Sequence, residues 1–468
     1  MPRINPRAAA VKAVSKAASE ISQSTPTPST PISTMINQRS IPAEATEELA
    51  AFRSKAPKPK PEPTPPRQRP SPPWSPQARE KKSPPPQSTP IDFSNFLPRS
   101  HFEISTSLPR SYFLGHHNAA LTRMRQALSN VGLILEVRDF RVPISSWNPL
   151  LEQSLSSTSA GVPRARIIVY TKRDLAPPQR RPLPGSQAPG DVIRTLKSFH
   201  RPSKVDNVKD MIFLGMGAHS ASLQGLLKAI KEVAREMDSL TGLRVMVVGM
   251  PNAGKSTLLN RLRSHSLKLG KAAKTGAQPG VTRKLGTPVR ILPGEDSNDP
   301  DSEGLGEGVF IVDTPGVFVP YVSEPEAMLK LALVGCVKDG IISSVTVADY
   351  LLYRLNLTRS GVYVERFGMP GPTNDVHQFL RAAARRTGKL KRGGDESLEH
   401  AADWVIQEWR RGNLGRLLLD EVTPTRLEEA LQLAREPSLS MNQARKREKL
   451  ARKERNEAKR AGVAGESA

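Results

Sequence analysis

The stretch that most constrains this chain is Gly249-Met-Pro-Asn-Ala-Gly-Lys-Ser-Thr257. It follows the apolar run Val245-Met-Val-Val248 and precedes Leu258-Leu-Asn-Arg-Leu262, whose leucines recur at helical spacing. A GxxxxGK[ST] spacing between a buried strand and a helix is that of a phosphate-binding loop. Turned backbone N–H groups cradle phosphates, Lys255 reaches the β and γ oxygens, and Ser256 offers its hydroxyl to Mg²⁺. An ordinary glycine turn requires neither that strand nor that helix. Asn252, Ala253, Gly254 and Thr257 belong to the same candidate site.

The chain before the loop repeats the strand-then-helix pattern. Val131-Gly-Leu-Ile-Leu-Glu-Val137, Arg166-Ile-Ile-Val-Tyr170 and Met211-Ile-Phe-Leu214 read as buried strands. Helices are expected over 118–130, where Leu121, Met124 and Leu128 recur at helical spacing, and over 223–237. Strands spaced by helices imply βαβ units, so the expected class is α/β with a mostly parallel sheet and its ligand at the carboxyl ends of the strands. After the loop come a short strand near 289–292, an acid-rich stretch 294–308 expected to be a solvated loop, and the strand Val309-Phe-Ile-Val312. Beyond Pro320 the pattern is helical, with segments at 327–333, 345–357, 375–386 and 396–409 forming a small all-α region.

Two further motifs extend the site. In Asp313-Thr-Pro-Gly316 the carboxylate stands at a strand end, where it can hold Mg²⁺ directly or through water, and Gly316 lets a backbone N–H approach a γ-phosphate. Thr282, in Pro279-Gly-Val-Thr-Arg283, is the matching switch threonine and a third Mg²⁺ ligand. In Thr171-Lys-Arg-Asp174 the Asp174 carboxylate can accept from the N1–H and the exocyclic amine of guanine, neither of which adenine offers. The stem of Lys172 would lie along the base. Alone, such a tetrapeptide is as readily a surface turn; beside the other two motifs it is a guanine reader.

Guanine-nucleotide hydrolases usually run phosphate loop, switch threonine, DxxG, then guanine motif, but here Asp174 precedes Gly249 by about 75 residues. The order is circularly permuted. Rotation of the order leaves the site intact because the termini of a compact domain often lie close together. It also sends the DxxG segment directly into the helical region, so nucleotide state can act on whatever that region binds.

Composition adds a partner and an address. The net charge of +24 and pI near 10.3 favour polyanions such as RNA, or anionic membrane surfaces. Arg381, Arg385, Arg386, Lys389, Lys391 and Arg392 form a basic patch, and 436–468 is a basic tail that either docks on phosphates or is simply solvated. The single cysteine, Cys336, excludes an internal disulfide framework and a Cys-based zinc site. The first residues carry Arg3, Arg7, Lys12 and Lys16 among alanines and serines with no acid before Glu20. They suit a mitochondrial transit segment over 1–40, against the alternative of a merely disordered basic start. Residues 24–95 are Pro-rich and lack an apolar period, as a disordered linker would. No stretch has the length and apolarity of a membrane span.

From about Tyr112 to Leu419 the chain resembles the circularly permuted ribosome-assembly GTPases. Specific parts are Tyr112-Phe-Leu-Gly-His116, Leu135-Glu-Val-Arg-Asp-Phe-Arg-Val-Pro-Ile-Ser-Ser-Trp-Asn-Pro149, Ile168-Val-Tyr-Thr-Lys-Arg-Asp-Leu175, the phosphate loop, Pro279-Gly-Val-Thr282, Asp313-Thr-Pro-Gly316 and Leu331-Ala-Leu-Val-Gly-Cys-Val-Lys-Asp339. The resemblance implies a permuted GTPase domain over 110–320 and a helical RNA- or ribosome-binding domain over 321–430. It further implies a monomer of the mitochondrial matrix, peripheral to the inner membrane, that helps assemble the large mitoribosomal subunit by contacting its rRNA and proteins. The alternatives are a guanine-nucleotide-gated RNA chaperone with little hydrolysis, and a nucleolar or cytosolic pre-ribosome GTPase.

The same resemblance bears on catalysis. Val317 follows DxxG where small GTPases place a water-orienting Gln, and it cannot hydrogen-bond to water. The family implies His116 as the substitute, acting on water when the ribosomal partner binds, and Asn252 as a ligand of K⁺, whose charge offsets that developing on the phosphate. The chain departs from the family pattern twice. Thr171 stands in place of an Asn, removing an amide that would contact the base or brace the phosphate loop, and His117 follows His116 in place of Met.

Overall fold

The computed structural model describes residues 95–105, 107–113, 115–156, 164–178, 187–200, 208–215, 221–273, 275–276, 280, 282, 285–295, 302–359, 361–390, 393–436 and a few positions of the tail. The transit segment 1–40, the linker 24–95 apart from Asn95, Lys391, Arg392 and most of 436–468 lie outside them.

Among the described residues six strands form one sheet: β1 (Leu133–Asp139), β2 (Ala165–Thr171), β3 (Val208–Phe213), β4 (Leu243–Gly249), β5 (Val289–Leu292) and β6 (Val309–Asp313). Their order is β3-β2-β1-β4-β6-β5, with every pairing parallel except β5 with β6. All seven residues of β1 and of β2 are buried, which is why these strands read as continuous apolar runs rather than as alternation. The chain runs outward from β1 to β3 and then returns to β4 on the other side of β1. That reversal opens a crevice at the carboxyl ends of β1 and β4, where open α/β sheets bind their ligands.

Helices cover both faces. On one side α4 (Ala221–Met237) and α5 (Lys255–Leu267) pack Leu226, Ile230, Leu258 and Leu262 against Leu135, Val137, Val245 and Val247. On the other, α1 (Gly115–Ala127) sets Leu121 and Met124 against Ile134, Met246 and Val248. Each such side chain is worth about 1.5–3 kcal/mol when fully buried. Two shorter helices, α2 (Pro149–Ser156) and α3 (Pro189–Phe199), follow β1 and β2. Of the acid-rich stretch expected to be a solvated loop, residues 294–295 and 302–308 are described, and these are not solvated throughout. Leu305 is 1% exposed in the sheet's core, and backbone bonds from Glu307 N to Leu240 O and from Leu243 N to Gly308 O tie the stretch to the turn before β4.

The remainder is helical: α6 (Pro325–Leu333), α7 (Ser344–Leu357), α8 (Val362–Phe367), α9 (Val376–Thr387), α10 (Leu398–Arg410) and α11 (Pro424–Arg435). The Asp375 carboxylate caps α9 by accepting from His377 N, and the Thr423 hydroxyl caps α11 by accepting from Arg426 N. Leu351, Leu355, Phe379, Leu380, Ala402, Val405 and Trp409 make its core, and Val142, Met250 and Phe318 extend that core to the crevice of the sheet. Residues 95–105 and 107–113 lie along this region. Arg99 pairs with Asp349 at 2.6 Å, Phe102 meets the Tyr350 ring edge-on at 5.3 Å, and Val322 N donates to Arg110 O at 2.8 Å. Among the described residues no helix is long and apolar enough to cross a membrane.

Candidate nucleotide site

The phosphate loop leaves β4 at Gly249, whose φ is +145° and where a Cβ would lie 2.2 Å from Val137 O, so no side chain fits. The loop feeds α5 at Lys255, and Gly254 to Thr257, at the start of this helix where backbone N–H groups lack intrahelical partners, lie at the crevice. Lys255 is buried, and its Nζ donates to Gly249 O at 3.2 Å and Met250 O at 2.8 Å. Burial pushes its pKa down to about 8 against the opposing pull of Asp313. Such an ammonium gains from any anion brought to it.

The three expected Mg²⁺ ligands converge. Ser256 Oγ donates to Asp313 Oδ2 at 2.5 Å, lies 3.2 Å from Thr282 Oγ1, and Thr282 Oγ1 is 3.5 Å from the same carboxylate oxygen. Burial raises the pKa of Asp313, only partly offset by Ser256 and Lys255. Its second oxygen, Oδ1, is buried with no hydrogen-bond partner. Two hydroxyls and a half-satisfied carboxylate are the hard-oxygen donor set that suits Mg²⁺. A Cβ on Gly316 would lie 2.5 Å from Pro251 Cα, so glycine there lets the DxxG turn close on the phosphate loop.

The guanine motif arrives from β2 beside this loop. Thr171 Oγ1 donates to Ala253 O at 2.5 Å. The hydroxyl thus braces the phosphate loop at the position where the family's Asn amide would contact the base or brace that loop. Lys172 sits at φ +59°, with Nζ donating to Asn252 O at 2.7 Å and to Asp139 Oδ2 at 2.8 Å. Asp174 lies against Gly215 at the end of β3, and Arg261 Nη1 donates to Gly215 O at 2.6 Å.

A cavity of about 610 Å³ joins these groups. Of the expected site residues, Thr171, Lys172, Asp174, Asn252, Gly254, Lys255, Ser256, Thr257, Thr282 and Gly316 all line it. Ala253 and Asp313 are not on its wall; they stand behind it, bonded to Thr171 and Ser256. Asn252 Nδ2 donates to Gly335 O at 2.8 Å, which orients the amide expected to serve K⁺. His116 lies in the first turn of α1, and its side chain is outside the described residues. His117 is 2% exposed, held between the rings of Tyr112 at 5.8 Å and Phe113 at 5.4 Å. Val317 is fully buried under α1, turned away from the cavity.

Sequence reasoning missed part of the wall. Arg141, Val334, Gln407, Arg410 and Arg411 also line the cavity, the last four from the helical region. Arg410 is fixed by Nη2–H to Ala332 O at 2.8 Å and to Asp339 at 3.1 Å. The signal available was the DFR segment itself, Asp139-Phe-Arg141, which carries two opposite charges straight after an apolar strand.

A sheet in this order, with a GxxxxGK[ST] loop after β4, a DxxG turn at the end of β6 and a TKxD motif entering from upstream on β2, defines a circularly permuted P-loop GTPase. The family described as 50S ribosome-binding GTPase matches residues 244–359, which begin at β4 and contain the phosphate loop and DxxG but not the guanine motif. Mitochondrial GTPase 1 of Schizosaccharomyces japonicus is 35% identical over 332 residues, covering 69% of this chain and 94% of that protein. Mitochondrial ribosome-associated GTPase 1 of Xenopus tropicalis is 31% identical over 341 residues, covering 70% and 99%. Among solved structures, GNP-bound YlqF from T. maritima aligns with TM-score 0.36 and 22% identity, covering 65% of this chain and 98% of that one. The chain belongs to the mitochondrial GTPase 1 family and is a GTP-hydrolysing enzyme.

Proposed function

We propose that this GTPase is an assembly factor of the large mitochondrial ribosomal subunit, whose nucleotide state gates its docking on and release from rRNA and ribosomal proteins. The observation that carries the reading is one cavity lined together by Asp174, by the phosphate loop and by Val334, Gln407, Arg410 and Arg411 of the helical region. Nucleotide exchange is thereby in contact with the part of the chain that bears the basic patch Arg381, Arg385, Arg386 and Lys389. The names of the relatives support a mitochondrial, ribosome-associated setting. The acid-poor N-terminus supports import, and the net charge of +24 supports contact with rRNA and peripheral attachment to the anionic inner membrane. The protein acts as a monomer in the matrix.

In this reading Asp174 accepts from guanine N1–H and N2, and the stem of Lys172 lies along the base. Lys255 exchanges its bonds to Gly249 and Met250 carbonyls for the β and γ phosphate oxygens, recovering the charge stabilisation that burial denies it. Ser256, Thr282 and Asp313 hold Mg²⁺, which neutralises phosphate charge when bound. Asn252 serves K⁺ through its amide oxygen, its nitrogen being bonded to Gly335 O. His116 is the catalytic imidazole, delivered when the ribosomal partner binds; the buried packing of His117 favours its neighbour in that role.

Single-turnover GTP hydrolysis, with and without large mitoribosomal particles and in K⁺ or Na⁺, tests the reading. It predicts slow intrinsic turnover, stimulation by particles in K⁺, and loss of the stimulation in His116→Ala. Equal rates with and without particles would overturn the assembly role, and equal rates in the two salts the cation role.

A further inference from the structure

The segment Asp139-Phe-Arg141 closes β1 at the crevice of the sheet, and neither phosphate, metal nor base recognition has used it. Asp139 is fully buried between two cations. Its Oδ2 accepts from Lys172 Nζ at 2.8 Å and from Arg141 Nη2 at 2.8 Å, and its Oδ1 accepts from the backbone N and the Nε of Arg141, both at 3.0 Å. Four donors saturate the carboxylate. Burial alone would raise its pKa, but Arg141 and Lys172 more than offset that and hold it well below the usual carboxylate range.

Each cation then leads elsewhere. Lys172 goes to the nucleotide cavity, in a left-handed conformation that a lysine adopts only when its surroundings impose it; Asp139 and Asn252 O are the two anchors of its ammonium. Arg141 goes to the helical region: its guanidinium carbon stands 4.9 Å from the centroid of the Trp409 ring, and Nη2 is 3.5 Å from Val334 O. Arg141 Nη1 is buried without a hydrogen-bond acceptor, which leaves the indole face as the partner that holds this end of the guanidinium. Trp409 is 2% exposed at the end of α10 and does not line the cavity. One carboxylate between two cations also leaves a net positive charge in the wall of a site built for a polyanion.

We propose that Asp139 and Arg141 are positioning residues for guanine-nucleotide binding, and that Trp409 of the helical region is their outer brace. Asp139 holds the Lys172 ammonium in place for the base, Arg141 holds Asp139 in register, and the indole holds Arg141. The inference rests on the reading that Lys172 and Asp174 bind the guanine end of the nucleotide. Its consequence is that the helical region is part of the nucleotide site, so a change at Trp409, which touches no nucleotide, is read in nucleotide affinity.

The test is the affinity of the full chain for fluorescent GDP and for a non-hydrolysable GTP analogue, with thermal melting alongside. Asp139→Asn is expected to weaken binding about 10- to 100-fold, and Lys172→Met similarly. The double variant should be within about 2-fold of Lys172→Met, because both changes remove the same interaction. Trp409→Leu should lose about 5-fold or more, and Trp409→Phe, which keeps an aromatic face, should recover most of it. Trp409→Leu and Trp409→Phe carry the test if Asp139→Asn does not fold. Wild-type affinity in folded Asp139→Asn or Trp409→Leu would overturn the inference, as would independent, additive losses in the double variant. Wild-type affinity in Lys172→Met would overturn the base-recognition reading itself.

Discussion

Replacing Val317 by glutamine puts at the position after DxxG the residue that orients water in small GTPases. The side chain is fully buried and packs with Leu121, Met124, Met246 and Val248. The backbone of Val317 is fixed on both sides, its N–H donating to Gly249 O at 3.2 Å and its carbonyl accepting from Asn148 Nδ2 at 2.8 Å. The new amide therefore enters an apolar cluster and does not reach the cavity. Burying it unpaired costs about 1–3 kcal/mol on the scale of protein mutations, and overpacking adds about 1–3 kcal/mol. A loss of that size lowers Tm by about 5 °C or more. Intrinsic hydrolysis, followed by single-turnover phosphate release at a temperature where both proteins are folded, should stay within about 2-fold of wild type. A Val317→Gln protein that melts with wild type and hydrolyses GTP about 10-fold faster would refute the reasoning, since the position would then face the nucleotide.

Two further outcomes follow from neighbouring geometry. Thr171→Val removes the hydroxyl that braces Ala253 O at almost constant shape. The loss of one neutral hydrogen bond, about 0.5–1.5 kcal/mol, predicts GDP binding about 2- to 12-fold weaker, read by stopped-flow release of labelled GDP. His200, set against Trp147 at 5.4 Å, has its pKa pushed down to about 3 by burial first and by Arg138 and Arg166 next. Between about pH 6.5 and 3 the unfolded chain binds this proton and the native one does not, so stability falls as pH falls through that window. Melting at pH 7.5 and 5.0 should show the decline, and His200→Gln should flatten it.

The parts of the site that lie in contiguous motifs could be read without coordinates. The phosphate loop, DxxG and TKRD each carry their strand with them, and their order along the chain announces the permutation that the β3-β2-β1-β4-β6-β5 sheet displays. The longer helices α4, α7, α9 and α10 were legible because their apolar residues keep a 3.6-residue period. The helices α2, α3, α8 and α11 were not. α8 is six residues long, too short for a period to emerge, and the others begin at prolines within loop-like sequence. Nor could sequence show that Glu136, inside an apparently apolar strand, is held by Arg138 at 2.6 Å and by Arg166 at 2.9 Å. Arg166 stands on the neighbouring strand β2, and burial alone would raise the carboxyl's pKa where the two arginines instead take it down to about 2. The meeting of Asp139, Arg141 and Trp409 is hidden for the same reason: it joins the first strand to the tenth helix, and no local pattern spans that distance.

On the proposed reading Asp174, arriving from upstream of the phosphate loop, recognises guanine in the cavity that Lys255 and Ser256 also line. Asp174→Asn is the decisive variant. Xanthine carries a carbonyl where guanine has its exocyclic amine, so an amide at this position can donate to xanthine but mispairs with guanine. Measured by nucleotide titration, the variant should bind GTP about 100-fold or more weakly and gain affinity for xanthosine triphosphate. Unchanged GTP affinity, with no gain for the xanthine nucleotide, would contradict the account.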